Sequence, residues 1–303
     1  MKKLKVITIV GTRPEVIRLS RLIPKLDLYT DHIFIHTGQN HDPRLSDIFF
    51  EDLGIRAPDY YLNVDTCSLG SAMGDVLRKS EEVFLKEEPD AVMILGDTNS
   101  AIAAIVAERL QIPVYHMEAG NRSFDNNVPE ELNRKLIDHV ASFNLPYNDY
   151  SLRNLLAEGI HPRFIQKTGS PIREILGFYR NKILSSNATE TLGLSTNEYF
   201  LVSIHRQENV DFPHRLEKVV DCLLAVRETW GLPIIVSTHP RVRDRLADLN
   251  INGLDGITFH EPFGFTDYNS LQLNAKCVIS DSGTISEESS ILGFNAVTIR
   301  DSM

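Results

Sequence analysis

Short apolar runs alternate with amphipathic segments along the whole chain. In the first half the runs fall at residues 5–10, 32–37, 91–95, 112–117 and 142–145. They are rich in Val and Ile and bounded by polar or turn-forming residues, the signature of strands buried on both faces. Segments of helical period fill the gaps. A second series repeats the rhythm at Tyr199–Ile204, Pro233–Ser237, Ile257–Phe259, Cys277–Ser280 and Ala296–Ile299. Strands alternating with helices predict a parallel sheet covered on both faces, so the fold class is α/β, with two sheets enclosing a cleft. Between the series, Ile165–Pro171 carries Gly and Pro, and Asn187–Asn197 is polar with Ser and Thr. One domain is therefore expected over 1–170 and a second over 171–303. No short-period repeat or low-complexity tract is present, which sets aside solenoid and disordered architectures. The sequence stops at Arg300-Asp301-Ser302-Met303 directly after a strand, with no covering helix, which predicts a further C-terminal piece.

Composition narrows the class. With 303 residues, 42% of them hydrophobic, the chain can bury a sizeable core. Its formal net charge of −10 supplies no basic field for nucleic acid or an anionic membrane, so neither is expected as a partner. A phosphate ligand would have to be held by local groups. Cys67, Cys222 and Cys277 are far apart and in no C-x-x-C spacing, which argues against a disulfide framework or a zinc site and for a reducing, cytoplasmic setting. Met1–Lys5 before Val6–Val10 has the outline of a signal peptide, but the apolar run is too short and no small-residue cleavage site follows. It reads as a first strand, and no segment is long enough to span a bilayer.

Three acidic centres fall within one stretch of sequence: Asp97 in Gly96-Asp97-Thr98-Asn99, Glu118 in His116-Met117-Glu118-Ala119-Gly120-Asn121-Arg122, and Glu130 in Pro129-Glu130-Glu131-Leu132-Asn133-Arg134. The first two follow apolar runs, where parallel α/β sheets build their sites; the third opens a helix. A plainer alternative has Asp97 capping a helix that begins near Asn99, with Glu130 and Glu131 filling a first turn behind Pro129.

Two strand-turn-helix junctions suit anions. Val10-Gly11-Thr12-Arg13-Pro14-Glu15 offers free N–H groups at a helix start, with Arg13 able to add a charge-assisted contact. It contains no G-x-G-x-x-G, so no dinucleotide cofactor is expected. Ser280–Glu288 places Ser282, Gly283 and Thr284 at a second helix start, suited to the other phosphate of a diphosphate, with Glu288 one turn inward for ribose hydroxyls. An ordinary Ser/Thr cap is the alternative there. His205 and Arg206 follow a strand end and can face an anion, and Ser237-Thr238-His239-Pro240-Arg241 repeats that layout. The His residues show no metal-ligand spacing, so no metal is expected, and the absence of G-x-S-x-G argues against a serine hydrolase.

GTRPE, TGQ at Thr37-Gly38-Gln39, GDT, H-x-EAG, PEE-x-NR, HR-x-EN and DSG-x-x-x-EE occur in order across the chain. Together they resemble the non-hydrolysing UDP-N-acetylglucosamine 2-epimerases. The resemblance implies two Rossmann-like domains of the GT-B type, a homodimer, and a UDP-N-acetylhexosamine substrate. It further implies inversion at C2 by anti elimination of UDP and re-addition, without a cofactor. Carried over by motif, Asp97, Glu118 and Glu130 would move protons and His205 would lie against the leaving UDP. Arg13, Ser282, Gly283 and Thr284 would bind the diphosphate and Glu288 the ribose. Arg122 and Arg206 are further candidates, and Gln39 and His239 are candidates for a regulatory substrate site.

Two departures from the family pattern stand out. The Glu118–Glu130 segment is shorter than in glucosamine-type members, with Ser123-Phe124-Asp125-Asn126-Asn127-Val128 in place of an aromatic insert. In this, and in EAGNR, VPEE, STHPR and FTDYNSLQ, the chain resembles the subgroup that interconverts UDP-N-acetyl-L-talosamine and UDP-N-acetyl-L-fucosamine for capsule or O-antigen synthesis. Family members also continue past Arg300 with an ERPE-type segment and a helix returning to the first domain. The alternatives are a UDP-N-acetylglucosamine 2-epimerase proper, a hydrolysing epimerase, a GT-B glycosyltransferase, which needs an acceptor site, and a non-catalytic UDP-sugar sensor.

Overall fold

Branched aliphatic side chains fill both faces of the first strand, β1 (Lys5–Val10), in which every residue after Lys5 is buried. The structure, a computed structural model, describes residues 2–38, 50–125, 127–204, 207–210, 212–238, 242, 245–246 and 254–299. Two compact units result, Met1–Ile175 and Leu176–Met303.

Around β1 the first unit arranges β2 (Asp31–His36), β3 (Tyr60–Tyr61), β4 (Ala91–Leu95), β5 (Val114–Met117) and β6 (Phe143–Leu145). Among the described residues the sheet order is β3-β2-β1-β4-β5-β6, and every pairing is parallel. The second unit contains β7 (Phe200–Ile204), β8 (Ile234–Thr238), β9 (Ile257–His260), β10 (Cys277–Ser280) and β11 (Ala296–Thr298). Their order is β11-β10-β7-β8-β9, again parallel. The fold is α/β, as expected. In each sheet the first strand is internal and the order reverses beside it, between β1 and β4 and between β7 and β10. Adjacent loops part at such a reversal and leave a crevice at the carboxyl ends of the strands.

Helices cover the sheets by burying one stripe each. Leu69–Glu87 buries Ala72, Val76, Ser80, Val83 and Phe84 at helical spacing, with Ser68 capping its start by accepting from Ser71 N at 3.0 Å. The helix Pro129–Val140 differs. Its buried residues are Glu131, Asn133, Ile137 and Asp138, three of the four polar, so its inward face meets polar partners. Among the described residues no helix is long and apolar enough to cross a membrane.

The helix Arg13–Leu19 starts in a capping box. The Glu15 carboxylate turns back to accept from Gly11 N and Thr12 N on one oxygen, and from Thr98 Oγ1 at 2.6 Å on the other. Only 3% of Glu15 is exposed. Burial pushes its carboxyl up from 4.5 to about 6 in spite of those hydrogen bonds, with the Asp97 charge adding to the rise. Between those values the folded chain keeps a proton that the unfolded chain has released. The favourable contribution is complete below 4.5 and is lost as pH rises through about 6. At ~1.4 kcal/mol per pH unit it amounts to about 2 kcal/mol. Urea unfolding of Glu15→Gln across this window should therefore show the variant gaining about 2 kcal/mol on the wild type between about pH 4 and about pH 7. A constant difference would mean that Glu15 titrates alike in the folded and unfolded chains.

Candidate active site

At the reversal in the first sheet, the loops leaving β1 and β4 carry Arg13 and Asp97. Arg13 opens its helix half-buried, and burial lowers its guanidinium from the ordinary value. The chain after β4 turns at Gly96 (φ 75°) and enters the short 3₁₀ helix Asn99–Ile102. Thr98, and not Asp97, caps that helix, its side chain accepting from Ser100 N at 3.3 Å. The Asp97 side chain is thereby left for other partners. Its Oδ2 accepts from Arg134 Nε at 2.7 Å, and its carbonyl accepts from Asn133 Nδ2 at 2.9 Å.

Glu118 follows β5 with a left-handed backbone, φ 65°, a conformation that costs a side-chain-bearing residue about 1–3 kcal/mol and clusters at functional sites. Its Oε1 accepts from Asn121 Nδ2 at 3.1 Å, and Arg18 of the Arg13–Leu19 helix pairs with its Oε2. The same Oε2 lies 3.8 Å from where a β-carbon on Gly96 would stand, so Glu118 and the residue before Asp97 are neighbours. Two residues on, Gly120 (φ 79°) leaves no room for a side chain: a β-carbon would meet Ser151 O at 2.3 Å.

Glu130 stands exposed in the first turn of Pro129–Val140, while its neighbour Glu131 is buried. Glu131 accepts from Ser123 N at 2.9 Å, Ser123 Oγ at 3.1 Å and Arg134 Nη1 at 3.1 Å. Burial works to raise its carboxyl, but those donors hold it below the ordinary range. Glu131 thus anchors the loop 123–124 to the helix, and Arg134 joins that anchor to Asp97. The Arg122 side chain is fully buried, with Nη1 2.8 Å from Asp138 Oδ2 and with Nε and Nη2 donating to Glu158 at 2.8 and 2.6 Å. Its charge is committed to these two carboxylates.

In the second unit, Ser282 and Thr284 face each other at the start of the helix Ile285–Leu292, with Oγ to Oγ1 at 3.0 Å. Thr284 Oγ1 donates to Glu288 Oε1 at 2.6 Å, and Gln272 Nε2 donates to Glu288 Oε2 at 2.9 Å. Gly283 is exposed between them. Asp281, buried at the end of β10, accepts from Asn209 Nδ2 at 3.1 Å. Tyr268 adjoins this group, its hydroxyl raised by burial and by the nearby charges of Glu288 and Asp281. Gln39, His205, Arg206 and His239 lie outside the described residues.

The structure thus brings Asp97, Glu118 and the helix start bearing Glu130 into one neighbourhood, and Ser282, Thr284 and Glu288 into another. The sequence reading assigned no role to Glu15, Arg18, His116, Arg134 or Asp138. Arg134 sits three residues after Glu131, a spacing that marks the pair on a helix; no comparable local signal marks Arg18 with Glu118.

A family model described as UDP-N-acetylglucosamine 2-epimerase matches residues 26–303. The UDP-N-acetylglucosamine 2-epimerase of Methanocaldococcus jannaschii is 38% identical over 308 residues, covering 98% of this chain and 84% of the relative. Its structure in complex with UDP-GlcNAc and UDP matches with a TM-score of 0.92 at 37% identity, over 99% of this chain and 85% of that one. The structure of UDP-N-acetylglucosamine 2-epimerase from Rickettsia bellii matches with a TM-score of 0.91 at 45% identity, over 99% of this chain and 80% of that one. A Pseudomonas aeruginosa protein named UDP-2,3-diacetamido-2,3-dideoxy-D-glucuronate 2-epimerase is 34% identical over 305 residues, 98% of this chain and 84% of that one. Two parallel sheets of this order, acids gathered at the reversal of the first, and these likenesses over nearly the whole length have one common meaning: the chain belongs to the non-hydrolysing UDP-N-acetylglucosamine 2-epimerase family and is an isomerase with the GT-B type of fold.

Proposed function

We propose that the protein inverts C2 of a UDP-N-acetylhexosamine by anti elimination of UDP followed by re-addition. The observation that carries this reading is the joining of Asp97 and Glu118 at adjacent strand ends, each paired with an arginine, beside the exposed Glu130. C2–H of such a sugar lies next to an amide nitrogen and not a carbonyl, so deprotonation alone finds no enolate to stabilise the carbanion. If a base takes the C2 proton while the C1–O bond to UDP breaks, the electron pair forms the C1=C2 bond of a 2-acetamidoglucal and UDP leaves with the bonding electrons of C1–O. Re-addition of UDP at C1 with protonation of the opposite face of C2 completes the inversion. The step requires a base, an acid on the other face and fixed positive groups for the departing diphosphate. Asp97, Glu118 and Glu130 fill the first two roles in this reading, and Arg13 and His205 serve the leaving group. Ser282, Gly283, Thr284 and Glu288 hold UDP in the second unit. Glu288 would exchange its two protein donors for ribose hydroxyls, a swap of one set of hydrogen bonds for another.

Within this chemistry we favour the UDP-N-acetyl-L-talosamine and UDP-N-acetyl-L-fucosamine pair, in a homodimer serving capsule or O-antigen synthesis. Support comes from the short loop: Phe124 is 76% exposed and Val128 is half-buried, which leaves apolar surface for a 6-deoxy methyl group. The second reading is a UDP-N-acetylglucosamine 2-epimerase proper, favoured by the likeness to the Methanocaldococcus jannaschii enzyme in complex with UDP-GlcNAc.

Turnover in D2O should place deuterium at C2 of the product without added NAD, read by NMR or mass spectrometry; retention of the original hydrogen there would exclude elimination. Asp97→Asn, Glu118→Gln and Glu130→Gln should each lower kcat about 10²–10⁴-fold with the circular dichroism spectrum unchanged. A near-normal rate in any one of them demotes that residue to a structural role. For the substrate, kcat/KM should be higher on the L-talosamine and L-fucosamine nucleotides than on UDP-N-acetylglucosamine. An apolar pocket rejects an added hydroxyl by only about 10²-fold, so residual activity on the latter is expected. The reverse preference in a substrate panel would assign the glucosamine reading while leaving the chemistry in place.

A further inference from the structure

Glu15 makes one hydrogen bond that its own helix does not need. In a capping box the carboxylate turns back on the N–H groups that open the helix, and Oε2 does this by accepting from Gly11 N at 2.5 Å and Thr12 N at 2.8 Å. Oε1 is left over. It accepts from Thr98 Oγ1 at 2.6 Å, from a residue 83 positions along the chain. That bond joins the loop after β1, which carries Arg13, to the loop after β4, in which Thr98 directly follows Asp97. The Glu15 carboxyl also lies near enough to Asp97 to feel its charge.

A second set of contacts presses the same two loops together. A β-carbon on Gly11 would overlap Ser100 Oγ and Thr37 Oγ1, so only glycine permits the approach. Those two hydroxyls belong to buried residues, lie 2.9 Å apart and tie the 3₁₀ helix Asn99–Ile102 to the residue after β2. Asp97 itself is held by Asn133 at its carbonyl and by Arg134 at its carboxylate. The chemistry gives this fixed separation a purpose. Anti elimination breaks C2–H and C1–O on neighbouring carbons, so the group that takes the proton and the group that meets the departing diphosphate must be in register at the same moment. A misplacement of about 1 Å costs such a site about 10²-fold. We propose that Glu15 is a positioning residue of the reaction, which through Thr98 holds the Asp97 loop in register with the Arg13 loop. This rests on the reading of Asp97 as a group that moves a proton and of Arg13 as a ligand of the leaving UDP.

The bond can be cut from the Thr98 side with the capping box of the Arg13–Leu19 helix left whole. Thr98→Val removes the hydroxyl at nearly constant shape and should lower kcat about 10–10²-fold, with KM for the UDP-sugar changing less than about threefold. Thr98→Ser keeps the hydroxyl and should stay within about threefold of the wild type. Glu15→Ala should lower kcat on the same scale as Thr98→Val, and adding Thr98→Val to it should cost less than about threefold more, because the bond is already gone. Effects that multiply in the double variant would leave Thr98 as a helix cap only and overturn the proposal. A raised KM with unchanged kcat in Thr98→Val, or a Thr98→Ser enzyme as slow as Thr98→Val, would overturn it too. Should Glu15→Ala fail to fold, the comparison of Thr98→Val with Thr98→Ser decides alone. Asp97→Asn measured alongside separates the two failures. A near-normal rate in Asp97→Asn removes the reading beneath the proposal, whereas an impaired Asp97→Asn beside an unimpaired Thr98→Val removes the positioning role by itself.

Discussion

Strand direction is the constraint on which the site depends. Because all pairings in each described sheet are parallel, the carboxyl ends of β1, β4 and β5 line one edge, and the loops that leave them are next to one another in space although they are far apart in sequence. A parallel strand cannot be joined to its neighbour by a tight turn, so each of those loops must lead into a helix, and each helix start brings unpaired N–H groups to the same edge. The reversal of order beside β1 keeps the loops there from closing over each other. Acids, arginines and backbone donors are concentrated at that place as a consequence of connectivity.

Charge then organises what connectivity has gathered. Asp97 is bound by Arg134 and Glu118 by Arg18, so each of these two carboxylates has a cation at hand. Deeper in the unit, the side chains of Arg122, Asp138 and His116 form a buried layer, and the partly exposed Glu158 closes its rim. Removing one member of such a buried group leaves its partner as an uncompensated charge, at a cost of about 3–5 kcal/mol. The layer therefore resists rearrangement and offers a stiff floor to the half-exposed groups above it. In the second unit the corresponding edge uses hydroxyls and the carboxylates of Asp281 and Glu288, and the Glu288 hydrogen bonds come from neutral, exchangeable donors.

Much of this was legible in the sequence. Strands of four to six residues with continuous apolar character, such as Ala91–Leu95 and Cys277–Ser280, announced themselves by hydrophobicity alone. β3 did not, because Tyr60–Tyr61 is two residues long and has no period to detect. The positions of Arg13 and Ser282–Thr284 followed from helix starts behind strands, and Pro14 marked one of them. Partnerships were hidden. Nothing local joins Arg18 to Glu118, and Asp138 occupies an ordinary-looking polar position in a helix whose inward face happens to be polar. The capping of the 3₁₀ helix by Thr98 instead of Asp97 was a choice between adjacent residues that only the backbone geometry decides.

The left-handed backbone of Glu118 has an evolutionary side. Glycine would occupy φ 65° without strain, so the backbone here bears a conformational cost that only the contacts of the Glu118 carboxylate offset. A lineage in which the proposed role of the acid had lapsed would be free to relax that backbone with glycine. One selected for backbone ease alone would be drawn the same way, giving up the proton transfer proposed for Glu118 and the Arg18 pairing with it.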